Sequence, residues 1–289
     1  MGYPSLTNIE PMKKLLVCTF SGGRTSAFMG QFLNTYDKYI NHDKVFLFAN
    51  TGKEKEETLK FIDQCDKQWN LNVVWLEAKI NKEKGKGTDY KIVDFETASR
   101  KGEPFEEMLK VYPMPNPFVS NCTRELKQTP MSKYIKSLGY DEVLTAIGIR
   151  YDERHRKSIK AKEQGFVYPL CDDIKVDNKF IRNWWDKQCF DLNLKDCDLC
   201  FKKSLRKRLT IIKEKPESAK WWADMEDKYG NDQYPRFDLR NNKTIVELMQ
   251  LSKKPFRAIQ DQHETSKKQT SLFDNLDMDM ETDCFCKAT

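Results

Sequence analysis

A chain of 289 residues is long enough to bury a sizeable core, as one large domain or two smaller ones. With 33% charged residues, a mean hydropathy of −0.75 and a net charge of +6, its surface is heavily solvated, and no apolar run approaches membrane-spanning length. The apolar run at 15–20 is too short for a secretory core, so the expected compartment is the cytoplasm and no membrane partner is expected.

The segment "KKLLVC" (13–18) is continuous, apolar and bounded by turn residues, the pattern of a strand buried on both faces of a parallel sheet. It runs into "SGGRTS" (21–26) and then into Ala27, Phe28, Gln31 and Phe32 at helical spacing. Ser21 is the predicted helix N-cap, and Gly22-Gly23 lets the backbone pass close to a ligand. A strand–glycine loop–helix junction presents backbone N–H groups and the positive end of a helix, which together favour phosphate. The competing reading is an ordinary βα turn that needs glycine only for positive φ.

"KVFLFANTG" (44–52) reads as a second buried strand, "EKEETLKFIDQCDKQW" as an amphipathic helix and "LNVVWLEAKI" (71–80) as a third strand. This alternation predicts βαβ units and a parallel sheet. The Lys/Gly-rich stretch 81–89 reads as a loop, and 94–110 contains a helix. "YPMPNPF" (112–118) is an extended approach to Cys122. "TPMSKYIKSLG" (129–139) carries a hydroxyl cap, an early proline and a closing glycine, the marks of a helix. "DEVLTAIGIR" (141–150) and "GFVYPL" (165–170) are the fourth and fifth predicted strands. In open α/β sheets ligands sit beyond the carboxyl ends of strands, so Ser21–Ser26, Asn50–Gly52 and Gly148–Glu153 are expected to share one crevice.

From about 176 the pattern turns helical, with Trp184-Trp185 and Trp221-Trp222 read as helix-packing residues. The basic run "FKKSLRKRLTIIKEK" (201–215) is either a solvated helix face or a patch that meets phosphate. Nine cysteines in a chain expected in a reducing compartment point to metal or redox chemistry rather than disulfides. Cys18 and Cys65 read as small core residues, while Cys197-x-x-Cys200 and Cys284-x-Cys286 are spaced as chelating pairs. His42, His155 and His263 lack paired spacing and are assigned no ligand role. Residues 261–283 form a polar, acidic stretch with the composition of a disordered tail.

Taken in order, "SGGRTS", "FANTGKEKEETLKFI", "CTRELKQTP", "GIRYDERHR" and "DCDLCFKK" resemble the PP-loop phosphoadenosine phosphosulfate (PAPS) reductase family, and most closely its phage-type branch. The resemblance spans roughly residues 13–225. It implies an α/β fold, a doubly wound parallel sheet of the adenine nucleotide alpha hydrolase-like kind, followed by a smaller helical, Cys-containing region. The expected division is a PP-loop nucleotide-binding domain at 13–175, a helical metal- or cluster-binding region at 176–255, and a polar tail at 256–289.

By the same resemblance Ser21, Gly22, Gly23, Thr25 and Ser26 hold phosphate, and Asn50, Thr51 and Gly52 lie near the nucleotide, which is ATP or PAPS. Arg150 and Arg156 would neutralise phosphate or sulfate, since guanidinium forks match tetrahedral oxyanions. Asp152 and Glu153 would hold Mg²⁺ or orient those arginines; the alternative for "RYDERHR" is a surface salt-bridge cluster. Cys122, Cys197 and Cys200 supply three of four thiolate ligands, with Cys284 or Cys286 as the fourth. Thiolates suit a [4Fe–4S] cluster or zinc, and the resemblance favours the cluster. The chain departs from the family at its end: "DCFCKAT" replaces a Glu-Cys-Gly-type segment, and the usual Cys-Cys pair is reduced to Cys122-Thr123.

The expected function is nucleotide-dependent sulfur chemistry. It is either sulfonucleotide reduction with a tail cysteine as nucleophile, or ATP-dependent adenylation with sulfur transfer to DNA or tRNA. A sulfur donor or a reductant protein would serve as partner. The alternatives are a non-catalytic nucleotide sensor, left open by Arg24-Thr25 in place of the more usual Lys-Asp, and a zinc-containing nucleic-acid-binding accessory protein.

Overall fold

The computed structural model describes residues 12–83, 86–191, 198–237 and 242–258. The chain alternates strand and helix through its first half. In order it forms β1 (Lys14–Thr19), α1 (Arg24–Thr35), β2 (Asp43–Asn50), α2 (Glu56–Trp69), β3 (Val74–Ile80), β4 (Thr88–Val93) and α3 (Glu103–Leu109). A short turn α4 (Asn121–Thr123) runs through a π-helical turn (Arg124–Gln128) into α5 (Thr129–Ser137). Then come β5 (Glu142–Ala146), a 3₁₀ turn (Tyr151–Arg156), β6 (Phe166–Val167), α6 (Pro169–Asp172) and α7 (Asn178–Trp185). The helices α8 (Leu205–Glu214), α9 (Pro216–Tyr229) and α10 (Ile245–Ser252) complete the described chain.

The six strands form one sheet in the order β4-β3-β2-β1-β5-β6. Every neighbouring pair is parallel except β3–β4. The doubly wound α/β arrangement expected from the sequence is therefore present, with an antiparallel edge strand added. β1 lies at the centre, in register with Asp43–Leu47 on one side and Glu142–Ala146 on the other. Its side chains alternate between faces, as strand geometry requires. Leu16 and Cys18 join Phe28, Phe61 and Trp185 under α1, α2 and α7. Leu15 and Val17 face Met131 and the helix α5 on the other side. A third apolar cluster joins α3 to α8, α9 and α10 through Phe105, Met108, Trp222 and Leu248.

Three local expectations are corrected. The loop predicted at 81–89 stops short of its expected end, because Thr88 and Asp89 begin β4 and pair with Ile80 and Lys79. The predicted strand at 165–170 keeps only two strand residues, since Pro169 starts α6. Thr129 does not cap a helix, because helical backbone reaches it continuously from Asn121. The tryptophan pairs pack as expected, with Trp185 and Trp222 buried in separate cores. The basic run is not simply a solvated face: Arg208 on α8 is only 2% exposed. No helix among the described residues is long and apolar enough to cross a membrane.

Candidate functional site

The chain leaves β1 toward β2 and β3 on one side and later returns to place β5 on the other. The carboxyl ends of β1 and β5 therefore flank a topological switch point, where open α/β sheets bind ligands. The glycine loop follows β1. Gly22 has φ +82°, and a Cβ there would lie 2.6 Å from Thr58 Cγ2 and 3.1 Å from Ile62 Cδ1. Glycine is required here both for the left-handed backbone and for the close packing of α2 beneath the loop.

Gly23, not Ser21, is the N-cap of α1. The hydroxyl that organises the loop belongs to Ser26. Its Oγ accepts the N–H groups of Ser21 and Gly23, each at 3.2 Å, and the Ser21 hydroxyl at 3.0 Å. It donates to the Gly23 carbonyl at 2.9 Å. Backbone donors from two residues thus converge on one oxygen at the start of a twelve-residue helix, the electrostatic setting that suits a phosphate oxygen.

Arg24 points elsewhere. Its Nε donates to Asp191 Oδ1 at 2.6 Å and its Nη2 to Asp191 Oδ2, a bidentate pair. Trp185 Nε1 donates to the Arg24 carbonyl at 3.0 Å, so α7 and the segment after it are tied to the loop. Arg150 comes in from β5: only 6% exposed, it donates from Nη1 to Thr25 Oγ1 at 3.2 Å. Asp152 and Glu153 pair with it at 3.1 and 3.4 Å, and Glu153 also holds Arg156 at 2.5 Å. The carboxylates therefore orient the arginines.

After β2, Asn50 is fully buried. Its Nδ2 donates to Glu77 Oε1 at 2.6 Å and to the Ser99 carbonyl at 2.8 Å, and its Oδ1 accepts the Gly52 N–H at 3.1 Å. Thr51 donates from both its backbone N–H and its hydroxyl to Glu54 Oε2 at 2.8 Å, and Lys127 reaches the same carboxylate at 3.5 Å. The structure thus brings Ser21–Ser26, Asn50–Gly52 and Arg150 to the carboxyl ends of three adjacent strands. Glu77, Glu54 and Lys127 were not singled out from the sequence. Glu77 carried a readable signal, since a lone carboxylate inside the apolar run "VVWLEA" is buried only when paired; here Lys91 reaches it at 2.7 Å.

A sequence profile of the phosphoadenosine phosphosulfate reductase domain matches residues 15–165, which include the glycine loop, Asn50–Gly52, Cys122 and the Arg150–Arg156 turn. The chain belongs to the PAPS reductase family. The nin region protein ORF290 of Escherichia phage lambda is 34% identical over 199 residues, covering 66% of this chain and 67% of that protein, which places the chain with the phage-type PAPS reductase branch. A Methanocaldococcus jannaschii protein is 27% identical over 153 residues, 53% of this chain but 26% of its own length. The sheet and its flanking helices agree with the PP-loop fold of PAPS reductase relatives.

In this PAPS reductase-family chain the described cysteines divide by environment. Burial pushes the Cys18 and Cys65 thiols far up, which fits inert core residues. Cys122, from α4, and Cys200 line one cleft together with Thr51, Lys127, Lys202 and Trp222. Cys197, Cys284 and Cys286 lie outside the described residues. Among the described residues no group of three or more His, Cys, Asp or Glu side chains is placed to hold a metal. Cys122 and Cys200 supply two soft donors on one cleft, which fits part of a four-thiolate ligand set.

Proposed function

We propose that this protein binds an adenine nucleotide at the crevice formed by Ser21–Ser26, Asn50–Gly52 and Arg150, and uses it in sulfur chemistry. The observation that carries this reading is the meeting of the glycine loop and Arg150 at the switch point of a PAPS reductase-family sheet, with Arg150 Nη1 3.2 Å from Thr25 Oγ1. Loop N–H groups would donate to the phosphate oxygens, and Arg150, steadied by Asp152 and Glu153, would face the charge that develops on a phosphoryl or sulfuryl group. Preorganised donors of this kind lower a barrier because they need not reorient as charge builds. Arg156, held by Glu153, adds a second guanidinium to the same turn. If Mg²⁺ accompanies the nucleotide, Asp152 and Glu153 would have to share themselves between it and the arginines.

Cys122, Cys197 and Cys200, with Cys284 or Cys286, would hold a [4Fe–4S] cluster, or zinc in its place. The cluster would supply redox or sulfur-handling chemistry next to Thr51 and Lys127. The two forms of the reaction leave different products. Cleavage of ATP between its α and β phosphates, to adenylate a DNA or tRNA acceptor, releases pyrophosphate. Two-electron reduction of PAPS by an external reductant protein releases sulfite.

Purified protein given each nucleotide is expected to release one of these two products, and Gly23→Val is expected to abolish both nucleotide binding and turnover. Nucleotide affinity unchanged in Gly23→Val would refute the loop assignment, and binding with no turnover would favour a sensor. Anaerobic metal analysis is expected to find iron and sulfide, lost in Cys122→Ala and Cys200→Ala; a colourless zinc protein would overturn the cluster.

A further inference from the structure

A second group of charges lies beside the Cys200 turn and takes no part in the reading above. The segment joining β2 to α2 is locked to the later chain by a backbone hydrogen bond from Asp198 N–H to the Lys53 carbonyl, 3.0 Å long. The Lys203 N–H closes the next turn on the Cys200 carbonyl at 3.0 Å. Lys215, at the end of α8, bonds Glu57 in the first turn of α2 at 2.8 Å. These three ties bring Lys55, Asp198 and Lys203 together in the interior, where they are 7%, 7% and 9% exposed.

Two of these groups are unsatisfied. Among the described residues nothing bonds or ion-pairs with the Lys55 ammonium, although the side chain is more than nine-tenths buried. Asp198 Oδ1 is buried and also lacks a hydrogen-bond partner. Lys53 cannot serve Lys55 as a counterion, since both are ammonium groups, and its own stacks over Trp221 at 4.3 Å. A buried donor cation and a buried acceptor oxygen left open within each other's electrostatic reach are costly unless something bridges them. A bridging group must accept from lysine and donate to a carboxylate. A protonated tetrahedral oxyanion does both, whereas sulfate, which carries no proton near neutral pH, can only accept.

We propose that Lys55, Lys203 and Asp198 form a second oxyanion site, separate from the glycine loop, that takes hydrogen phosphate, free or as the end of pyrophosphate, and discriminates against sulfate. Lys55 and Lys203 supply positive charge and donors, and Asp198 Oδ1 accepts the ligand's P–O–H. Burial, and then repulsion by Lys203, push the Lys55 ammonium below the usual lysine range, against the opposing attraction of Asp198 and Glu57.

The test titrates inorganic phosphate, pyrophosphate and sulfate into the full-length Gly23→Val protein, in which the glycine loop is disabled, by calorimetry and thermal shift near neutral pH. Phosphate is expected to bind and raise the melting temperature, with sulfate at least tenfold weaker. Lys55→Met is expected to lose phosphate binding roughly 10–100-fold, as expected for a charge-assisted bond, without a lower melting temperature, because it removes an unpaired buried charge. Lys55→Arg should restore binding, and Asp198→Asn should bind sulfate and phosphate alike. Pyrophosphate binding tighter than phosphate assigns its terminal group as the ligand; equal binding assigns free phosphate. Equal affinity for phosphate and sulfate, binding untouched by Lys55→Met, or no phosphate-induced shift, as a bridging water alone would give, each overturns the site. If Gly23→Val does not fold, the same titrations on wild type and Lys55→Met decide it by the loss of one site, independently of whether the loop binds nucleotide.

Discussion

Single residues set the geometry of the crevice, and each can be removed. Gly22→Ala should destabilise the protein by about 1–3 kcal/mol, because it places a side chain at φ +82° and against Thr58; urea denaturation measures the loss. Glu77→Ala should cost about 2–4 kcal/mol, since it leaves one N–H of the buried Asn50 amide and the Ser99 N–H without an acceptor, and should also weaken nucleotide binding through the Asn50–Gly52 turn. Paired denaturation and binding titrations check both effects. At this scale the sequence was informative about residue type and less so about partner. Ser21–Ser26 and Asn50–Gly52 could be picked out because glycine and hydroxyl residues after an apolar strand have few other uses. The replacement of Ser21 by Gly23 as N-cap could not, because the Ser26 hydroxyl reaches back three residues to take the role. That Arg24 binds Asp191 depends on a contact between residues 167 apart, which no local pattern encodes.

Elements were legible where their periodicity was strong. β1, β2, β3 and α2 fall where the buried runs and the amphipathic spacing put them. β4 was missed because polar residues at Thr88, Asp89 and Lys91 continue a Lys/Gly-rich stretch, so its strand character comes from antiparallel pairing to β3 rather than from its own composition. Two element-scale outcomes follow. Asp177 caps α7 by accepting the Phe180 N–H at 2.7 Å, so Asp177→Ala should cost about 1 kcal/mol in a thermal melt. Glu106 on α3 is held below the usual carboxylate range by hydrogen bonds from Lys228 and Tyr229 on α9. A carboxylate depressed in the folded state stabilises above its unfolded pKa and loses that contribution as pH falls through the folded one. Stability read by denaturation is therefore expected to decline from the ordinary glutamate range downward, and less steeply in Glu106→Gln.

On the scale of the molecule, the Arg24–Asp191 pair and the Trp185 bond to the Arg24 carbonyl join the glycine loop to the chain that leads toward the Cys200 turn. A double-mutant cycle on Arg24→Ala and Asp191→Ala should show a coupling of about 1–3 kcal/mol in stability, and nucleotide affinity should fall in either single variant. Additive effects would mean that the pair is incidental.

The central position of β1 has a consequence for how the chain acquires its activity. β1 cannot complete its pairing until β5 arrives, and the residues that close this seam, such as Lys13 and Asp141, stand 128 positions apart. A ribosome must therefore release more than half the polypeptide before the crevice has both its walls, and during refolding helix signals should recover well before ligand capture. Such a late-maturing pocket belongs to a slow, nonlocal folding step. Substrate added to the refolding chain should steady the finished protein without hastening that step.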